Sequence, residues 1–273
     1  MFDLSSKVVL IVGGRGFLGR DFCQTLRKCN ANVISADLPE SSKAASKSKF
    51  NDEFNDISQL DVDVTDKQSI SNLVSQIVSE YGRIDALVFA VTSKPHDFYE
   101  PFTECSLEGW QSVIKTELDG LFLVTQEVGR IMEKKEQGSI IFISSIYGLV
   151  GNDQRLYEGS NLAELYVDNK KNSQKQVYSH SVYPAVKGGV ISLTRYLATY
   201  WGSKNIRVNC ISPGGVHHEG ENQVFVDKYS SKVPLGRKAK PNEVSGAVVY
   251  LTSNESSYVT GQNIVIDGGW TSW

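Results

Sequence analysis

The segment Tyr183-Pro-Ala-Val-Lys187 places a phenol four residues ahead of an ammonium, at the start of an apolar helical pattern. Residues i and i+4 share one face of a helix, so these two side chains are expected to be neighbours. A phenol with its ordinary pKa of about 10 is a poor base at neutral pH, but a nearby cation favours the phenolate and lowers that pKa. The pair therefore indicates proton exchange with an alcohol or a carbonyl. Taken alone, the same spacing also fits a tyrosine packed against a lysine stem.

A glycine-rich turn near the N-terminus is the second chemical signal. An apolar run over residues 7–12 leads directly into Gly13-Gly14-Arg15-Gly16-Phe17-Leu18-Gly19, and a helical apolar pattern follows. Glycines let the backbone approach a pyrophosphate closely, and free N–H groups at the start of the helix face the anion. The order of strand, turn and helix predicts a dinucleotide site. Its expected contacts are Gly13, Arg15, Gly16, Phe17, Leu18 and Gly19.

Asp37 ends a second apolar run and follows Gly19 by eighteen residues, since 37 minus 19 is 18. A carboxylate at this distance can bond the ribose hydroxyls and would repel a 2′-phosphate. The sequence therefore favours NAD as the cofactor. Arg15 and Lys43 are close enough in sequence to keep NADP as the alternative. In the absence of a cofactor role, Asp37 would cap a turn before Leu38.

Length, charge and cysteine content narrow the class of protein. The chain has 273 residues, which suits one α/β domain, because single domains of roughly 250 residues are common. The net charge of -3 and the lack of a long basic run argue against a nucleic-acid partner. No apolar run reaches the ~20 residues of a membrane span, and the N-terminus starts a strand rather than a signal peptide, so we expect a cytoplasmic protein. The four cysteines have no paired CxxC spacing and indicate neither a metal site nor a disulfide framework.

Apolar strand-like runs alternate with helical patterns along the whole chain. This alternation predicts an α/β fold: a single doubly wound Rossmann-type domain over residues 1–273, with a seven-stranded, mostly parallel sheet flanked by helices. The expected strands cover residues 7–12, 32–36, 60–64, 86–90, 140–144, 206–211 and 263–266. The expected later helices cover residues 67–81, 107–135, 182–201 and 241–251. Two polar stretches, 40–58 and 152–181, are expected to be surface loops.

Several motifs in order resemble the short-chain dehydrogenases/reductases, in the shorter branch that carries Tyr-x-x-x-Lys. The resemblance runs from about residue 7 to residue 269. Besides the glycine turn and the Tyr183–Lys187 pair, the matching pieces are Asp63-Val64-Thr65, Ile143-Ser144-Ser145, the run from Asn209 to Pro213-Gly214 and the tail from Thr260 to Gly269. A weaker resemblance, carried by residues 144–148, 193–198 and 206–215, is to bacterial members found in surface-polysaccharide and flagellin-sugar biosynthesis.

The resemblance implies a role for each matching residue. Tyr183 would be the acid/base, and Lys187 would lower its pKa and hold the nicotinamide ribose. Ser145 would bond the substrate oxygen, with Ser144 as the alternative. On the cofactor, Asp63 and the Val64 amide would meet the adenine, and Pro213-Gly214 would close beside the nicotinamide carboxamide.

Three positions depart from the family's pattern. Glu117 stands where the family usually has an asparagine, so the water-linked proton path is in doubt. Its carboxylate could hold water, pair with a substrate amine or with Lys187, or face an oligomer contact. Phe89-Ala90-Val91-Thr92 replaces the common Asn-Asn-Ala-Gly, which leaves only backbone groups, such as those of Ala90, to meet the adenosine ribose. In the glycine turn, Gly16 takes the place of a glycine at position 17.

The interval between Ser145 and Tyr183 is unusually long for the family, 38 residues, since 183 minus 145 is 38. The excess is the polar insertion of about residues 152–181. Because it leaves the sheet at one catalytic residue and returns at the next, we expect it near the substrate mouth, where loops carry specificity. A solvated flap would have the same composition. Its polar residues are Arg155, Tyr157, Glu158, Asn161, Lys170 and Lys171.

These observations predict an NAD(P)-dependent oxidoreductase that interconverts a secondary alcohol and a ketone on a small polar substrate, a sugar or sugar phosphate. A 3-oxoacyl or small-ketone reductase is the alternative enzyme. A catalytically weakened NAD-binding regulator is the alternative outside enzymes. Relatives associate through the helices expected at 107–135 and 182–201, so a homodimer or homotetramer is expected.

Overall fold

The sheet contains seven strands in the computed structural model, which describes residues 2–39, 56–167 and 176–273. The strands are β1 (Val8–Val12), β2 (Asn32–Asp37), β3 (Ser58–Asp61), β4 (Ala86–Phe89), β5 (Gly138–Ile143), β6 (Ile206–Pro213) and β7 (Asn263–Ile266). All pairings are parallel, in the spatial order β3-β2-β1-β4-β5-β6-β7. The predicted α/β class is confirmed, and the sheet is parallel throughout.

Both faces of this sheet are covered by helices. All five residues of β1 are buried, and successive side chains of a strand point to opposite faces. Leu10 contributes to one hydrophobic core, whereas Val9 and Ile11 contribute to a second core on the other face. A strand buried on both sides reads as a continuous apolar run, which is why the runs of this sequence predicted a doubly wound sheet.

Eight α-helices are present in the described part of the chain. They are α1 (Phe17–Lys28), α2 (Lys67–Tyr81), α3 (Leu107–Ile114), α4 (Gly120–Lys135), α5 (Leu162–Tyr166), α6 (Val182–Trp201), α7 (Gln223–Ser230) and α8 (Asn242–Thr252). Helix α2 shows why the sequence predicts its ends: the Asp66 carboxylate accepts from the Gln68 N–H, and Gly82 follows the last turn at φ 70°. An acidic N-cap and a left-handed glycine are standard end signals.

Two expected elements depart most from the structure, while the ends of the other expected strands and helices differ by at most two residues. The third strand covers Ser58–Asp61 rather than 60–64, because its pairing with β2 ends where Asp61 meets Asp37. Val62 and Val64 lie beyond the strand and are buried in the hydrophobic core. The single helix expected over 107–135 is instead α3 and α4 joined by a π-helical turn, Lys115–Asp119. Such turns occur often at functional sites.

The topology leaves a crevice beside the carboxyl ends of β1 and β4. The chain passes from β1 outward through β2 to β3, and then returns to β4 on the other side of β1. Ligands of open α/β sheets bind where the strand order reverses in this way. The glycine turn after β1 and the segment after β4 therefore border one crevice.

Candidate active site

The glycine turn is built closely against the neighbouring strand. Gly13 has φ +88°, and a Cβ there would lie 2.8 Å from the backbone of Ala90. A Cβ on Gly19 would lie 2.0 Å from the carbonyl oxygen of Gly13. Gly16 precedes α1 without any side-chain cap, and no acidic residue occupies the first turn of that helix. The first N–H groups of α1, at Phe17, Leu18 and Gly19, thus remain available to an anion, which fits the pyrophosphate of a dinucleotide.

Asp37 and Arg15 meet at the end of β2. The Asp37 carboxylate accepts from the Arg15 N–H at 2.9 Å and from the Leu38 N–H at 2.8 Å. The Arg15 guanidinium turns toward β3, where it bonds Asp61 Oδ1 at 2.8 Å and the Leu38 carbonyl at 2.8 Å. Asp37 therefore both caps the turn and lies at the position expected for the ribose contact. Lys43 lies outside the described residues.

The other expected cofactor residues lie just beyond β3 and β4 and at the end of β6. Asp63 Oδ1 accepts from the N–H and the hydroxyl of Thr65, both at 2.8 Å, and so shapes the turn after β3. Val64 is buried. The Ala90 N–H bonds the Val12 carbonyl at 2.8 Å, which extends the β1–β4 pairing by one residue. Pro213 ends β6, and the Gly214 N–H bonds Ile266 of β7.

The two serines after β5 have different partners. The Ser144 hydroxyl is buried and donates to the Lys187 carbonyl at 2.8 Å. Ser145 lies in an extended conformation, and its hydroxyl accepts from the Tyr147 N–H at 3.1 Å. Ser144 is thereby used in joining β5 to α6. The Ser145 hydroxyl keeps its proton free for another partner.

Tyr183 lies in the first turn of α6 and is positioned by an aromatic stack. Its ring meets Phe98 edge-on, with centroids 6.3 Å apart. Phe98 in turn stacks on His180 at 5.2 Å. His180 is 1% exposed, and its Nδ1 accepts from the Val182 N–H at 3.0 Å. Burial lowers the pKa of His180, so this imidazole is neutral and caps the helix that carries the tyrosine.

Lys187 follows Tyr183 by one helical turn and is paired with Glu117. Its Nζ lies 5.5 Å from the Tyr183 ring centroid, 3.0 Å from Glu117 Oε2 and 3.2 Å from the Ile143 carbonyl. Burial by itself would lower the pKa of Lys187, but the negative charge of Glu117 and the neighbouring Tyr183 raise it above its ordinary value. The lysine is therefore an ammonium at neutral pH.

Glu117 occupies the π-helical turn between α3 and α4 and is 1% exposed. Its Oε1 accepts from the Ser93 N–H at 2.9 Å and from the Thr92 hydroxyl at 3.1 Å. The sequence left several partners possible for Glu117, and in the structure its carboxylate pairs with Lys187. Because Glu117 is buried, it does not face an oligomer contact. The departures at Glu117 and at Thr92 are thus linked, because the two side chains bond each other.

The insertion after Ser145 is partly regular. A 3-10 turn covers Gln154–Tyr157, α5 follows, and residues 168–175, with Lys170 and Lys171, lie outside the described residues. Asn161 Nδ2 donates to the Gly220 carbonyl at 2.7 Å, and its Oδ1 accepts from the Asn222 N–H at 2.9 Å. Lys228 of α7 donates to the Glu158 carbonyl at 3.0 Å. The first half of the insertion is therefore fastened to the segment after β6.

Several residues of this region gave no signal in the sequence. His180 stacks on Phe98 and accepts from the Val182 N–H, and Asp61 binds the Arg15 guanidinium. Lys238 and Glu221 form a buried ion pair at 2.6 Å, with side chains only 4% and 3% exposed, which holds the segment after β6. Lys94 projects from the segment after β4 and lies over Tyr166 of α5. From the sequence, Lys94 could have been singled out only by its position, because it follows Phe89 at the end of β4 by five residues.

The fold and the crevice define a dinucleotide-binding oxidoreductase, and comparison with known proteins specifies the family. The model of the short chain dehydrogenase family matches residues 7–160, and that of the enoyl-(acyl carrier protein) reductases matches residues 170–271. The chain belongs to the short-chain dehydrogenase/reductase family, whose members interconvert alcohols and ketones with NAD(P). The predicted family, enzyme class and cofactor class are confirmed.

Curated relatives match nearly the full length. The chain is 32% identical to a 3-oxoacyl-(acyl-carrier-protein) reductase of Thermotoga maritima, with 97% of this chain and 98% of the relative covered. It is 34% identical to a trans-4-hydroxycyclohexanecarboxylate dehydrogenase of Sinomonas cyclohexanicum, over 98% and 94%. A post-translational flagellin modification protein of Campylobacter coli is 28% identical, over 98% and 99%. This last match agrees with the weaker resemblance seen in the sequence.

Solved structures show the same fold. A short chain dehydrogenase from Leptospira borgpetersenii with bound NAD+ matches with a TM-score of 0.81 and 32% identity, covering 98% of this chain and 94% of that one. A gluconate 5-dehydrogenase from Burkholderia cenocepacia in complex with NADP and tartrate matches with a TM-score of 0.82 and 25% identity, covering 100% and 98%. Within residues 2–39, 56–167 and 176–273, no helix is long and apolar enough to cross a membrane.

Proposed function

We propose that this enzyme interconverts a secondary alcohol and a ketone on a polar, hydroxylated substrate of the sugar or sugar-phosphate type, with NAD preferred over NADP. The joint between β5 and α6 carries this proposal. Ser144 bonds the Lys187 carbonyl, and a Cβ on Gly148 would lie 2.6 Å from the Lys187 backbone. Ser145 and Lys187 are thus held in one rigid unit, as a preorganised site requires.

Within this unit each residue takes one task. The Ser145 hydroxyl donates to the substrate oxygen. The Tyr183 phenolate accepts the hydroxyl proton when an alcohol is oxidised, and returns it in the reverse direction. Bound NAD supplies the hydride chemistry. The Lys187 ammonium, buried beside the tyrosine ring, would offset negative charge that develops on the tyrosine oxygen and would hold the nicotinamide ribose. Glu117 orients that ammonium.

Two observations support NAD and a polar substrate. The Asp37 carboxylate at the end of β2 would repel a 2′-phosphate, and the nearby Arg15 guanidinium is paired with Asp61. The insertion, which we place at the substrate mouth of one catalytic domain, is fastened by polar groups such as Asn161, and its sequence is rich in polar residues. Such a mouth suits hydroxyl and charged groups better than a long acyl chain.

Replacing Tyr183 by Phe tests the proposal. Turnover of a sugar-alcohol and sugar-phosphate panel, followed by nicotinamide absorbance, should fall by at least about a hundredfold, because the proton acceptor is lost. NAD affinity, measured by tryptophan fluorescence, should remain. Equal turnover in the variant and the parent enzyme would contradict the assignment. Tight NAD binding without turnover of any compound by the parent enzyme would favour the regulator.

A 3-oxoacyl reductase is the second candidate, and the similarity to the Thermotoga maritima enzyme favours it. The same assay separates the two. Turnover of ketoacyl thioesters, with none of the sugar compounds, would replace the first proposal by the second.

For assembly and location we propose a cytoplasmic homodimer or homotetramer that serves carbohydrate biosynthesis. Exposed aromatic side chains support an assembly. Phe122 on α4 is 53% exposed, and Tyr196 and Tyr200 on α6 are 62% and 58% exposed. Size-exclusion chromatography with light scattering would measure the mass of the assembly. A monomer at micromolar concentration would contradict the proposal.

A further inference from the structure

Lys94 is a cation at the border of the crevice that the reaction described above does not use. It lies in the segment that follows β4, directly after Ser93, whose N–H bonds Glu117. Its Nζ lies 4.0 Å from the centroid of the Tyr166 ring in α5. The Lys94 side chain therefore extends from the catalytic crevice to the insertion.

Tyr166 belongs to a wall of rings that runs back to the cofactor turn. It meets His218 edge-on, with centroids 5.2 Å apart. His218 meets Phe17, the first residue of α1, at 4.8 Å. Lys94 therefore contacts the outer ring of this wall. It is also close enough to Glu117 and Lys187 for both charges to act on it, so it lies near the pair that borders Tyr183.

In the part of the chain that the structure describes, no carboxylate forms an ion pair with Lys94. Glu117 is the acidic group whose charge acts on Lys94, and it is already bound to Lys187, Ser93 and Thr92. The Lys94 side chain as a whole is exposed, although many protein atoms lie around its ammonium. Burial and the positive charge of Lys187 lower the pKa of Lys94 to about 8, although the negative charge of Glu117 acts in the opposite direction.

We propose that Lys94 binds an anionic group of the substrate, a carboxylate or a phosphate, at the border of the crevice. The inference rests on the proposed function and narrows its substrate class to anionic hydroxylated compounds. An ammonium without an anionic partner, partly withdrawn from water, gains more from an anion than a fully hydrated lysine does. The Tyr166 ring faces the ammonium of Lys94, and the N–H donors that point away from the ring remain free for an anion.

A purely structural role is the competing explanation, in which Lys94 only covers the Tyr166 ring. In that case its loss would affect stability and would not distinguish anionic from neutral ligands. The two explanations therefore differ in how binding depends on the charge of the ligand.

Calorimetric titration of the NAD-saturated enzyme provides a test that needs no turnover. Tartrate is the carboxylate probe, inorganic phosphate is the phosphate probe, and threitol is a neutral probe that matches tartrate in carbon skeleton. The variants are Lys94→Met, which keeps the apolar stem, and Lys67→Met, which removes an exposed lysine at the start of α2. Lys94→Met should weaken binding of at least one anion by about tenfold or more. Lys67→Met should weaken neither.

The results separate this inference from the proposed function. Three results would each overturn the inference. The first is equal anion affinity in Lys94→Met and the parent, and the second is a loss of threitol binding equal to the loss of anion binding. The third is the absence of anion binding to the parent at about 50 mM, a concentration far above the dissociation constant of a useful site. If anions still bind to Tyr183→Phe and even the parent enzyme shows no turnover, the inference about Lys94 holds and the proposed function is wrong. Selective loss of tartrate or of phosphate identifies the anionic group.

Discussion

Glu117 Oε2 lies 3.0 Å from Lys187 Nζ, and the two side chains are 1% and 5% exposed. This buried pair joins the π-helical turn to the helix that carries Tyr183. It replaces the neutral amide usual for the family with a charge. Lys187 thus has a fixed counterion.

Replacing Glu117 by Gln should lower the free energy of unfolding by about 3 kcal/mol, because it leaves a buried ammonium without its counterion. Since the pKa of Lys187 is raised above its ordinary 10.5, the pair's contribution is full at neutral pH and is lost only as pH rises above that value. Urea denaturation at pH 7.5 measures the loss. Asp119→Asn, at an exposed carboxylate of the same turn, is the control and should change stability by less than about 0.5 kcal/mol.

The adjacent serines should separate stability from catalysis. Ser144→Ala removes the hydrogen bond to the Lys187 carbonyl and should cost about 1 kcal/mol in urea denaturation. Ser145→Ala should lower kcat by about a hundredfold or more through loss of the donor to the substrate oxygen, with a smaller change in stability. Each variant is the control for the other. The reverse pattern would assign the catalytic hydroxyl to Ser144.

Asp61→Asn should improve NADP binding relative to NAD by about threefold to tenfold, because it removes the carboxylate that holds the Arg15 guanidinium at 2.8 Å. Fluorescence titration of both cofactors measures the ratio of their dissociation constants. Asp56→Asn breaks a comparable exposed pair with Arg27, away from the glycine turn, and should leave the ratio unchanged. An unaltered ratio in Asp61→Asn would show that Arg15 has no influence on cofactor choice.

His180 should make stability depend on pH. Burial lowers its pKa below the ordinary 6.5, so the folded state binds this proton less readily than the unfolded state. The stability is therefore present above pH 6.5 and is lost as pH falls, by up to about 1.4 kcal/mol per pH unit until the folded pKa is reached. Denaturation between pH 5 and 7.5 should show a shallower slope for His180→Asn. His96→Asn, at an exposed histidine, should keep the parental slope.

Much of the fold followed from local patterns in the sequence. Helices α2 and α6 begin and end where predicted, since their caps and apolar spacing are encoded within a few residues. Strand β3 was misplaced by two to three residues, because the end of an edge strand depends on its pairing with β2. The π-helical turn was missed for a similar reason. It packs Glu117 toward Lys187, a partner seventy residues later, since 187 minus 117 is 70.

The amino-acid sequence by itself determined the family, the sheet with helices on both faces, and the residue types that can carry out hydride chemistry. These depend on periodicity and on short motifs, which a linear chain displays directly. Only the tertiary structure decided the partners: Glu117 with Lys187, Arg15 with Asp61, His180 with the first turn of α6, and Lys94 with Tyr166. Such pairs join residues distant in sequence, and their energies depend on burial and separation, which exist only once the chain has folded.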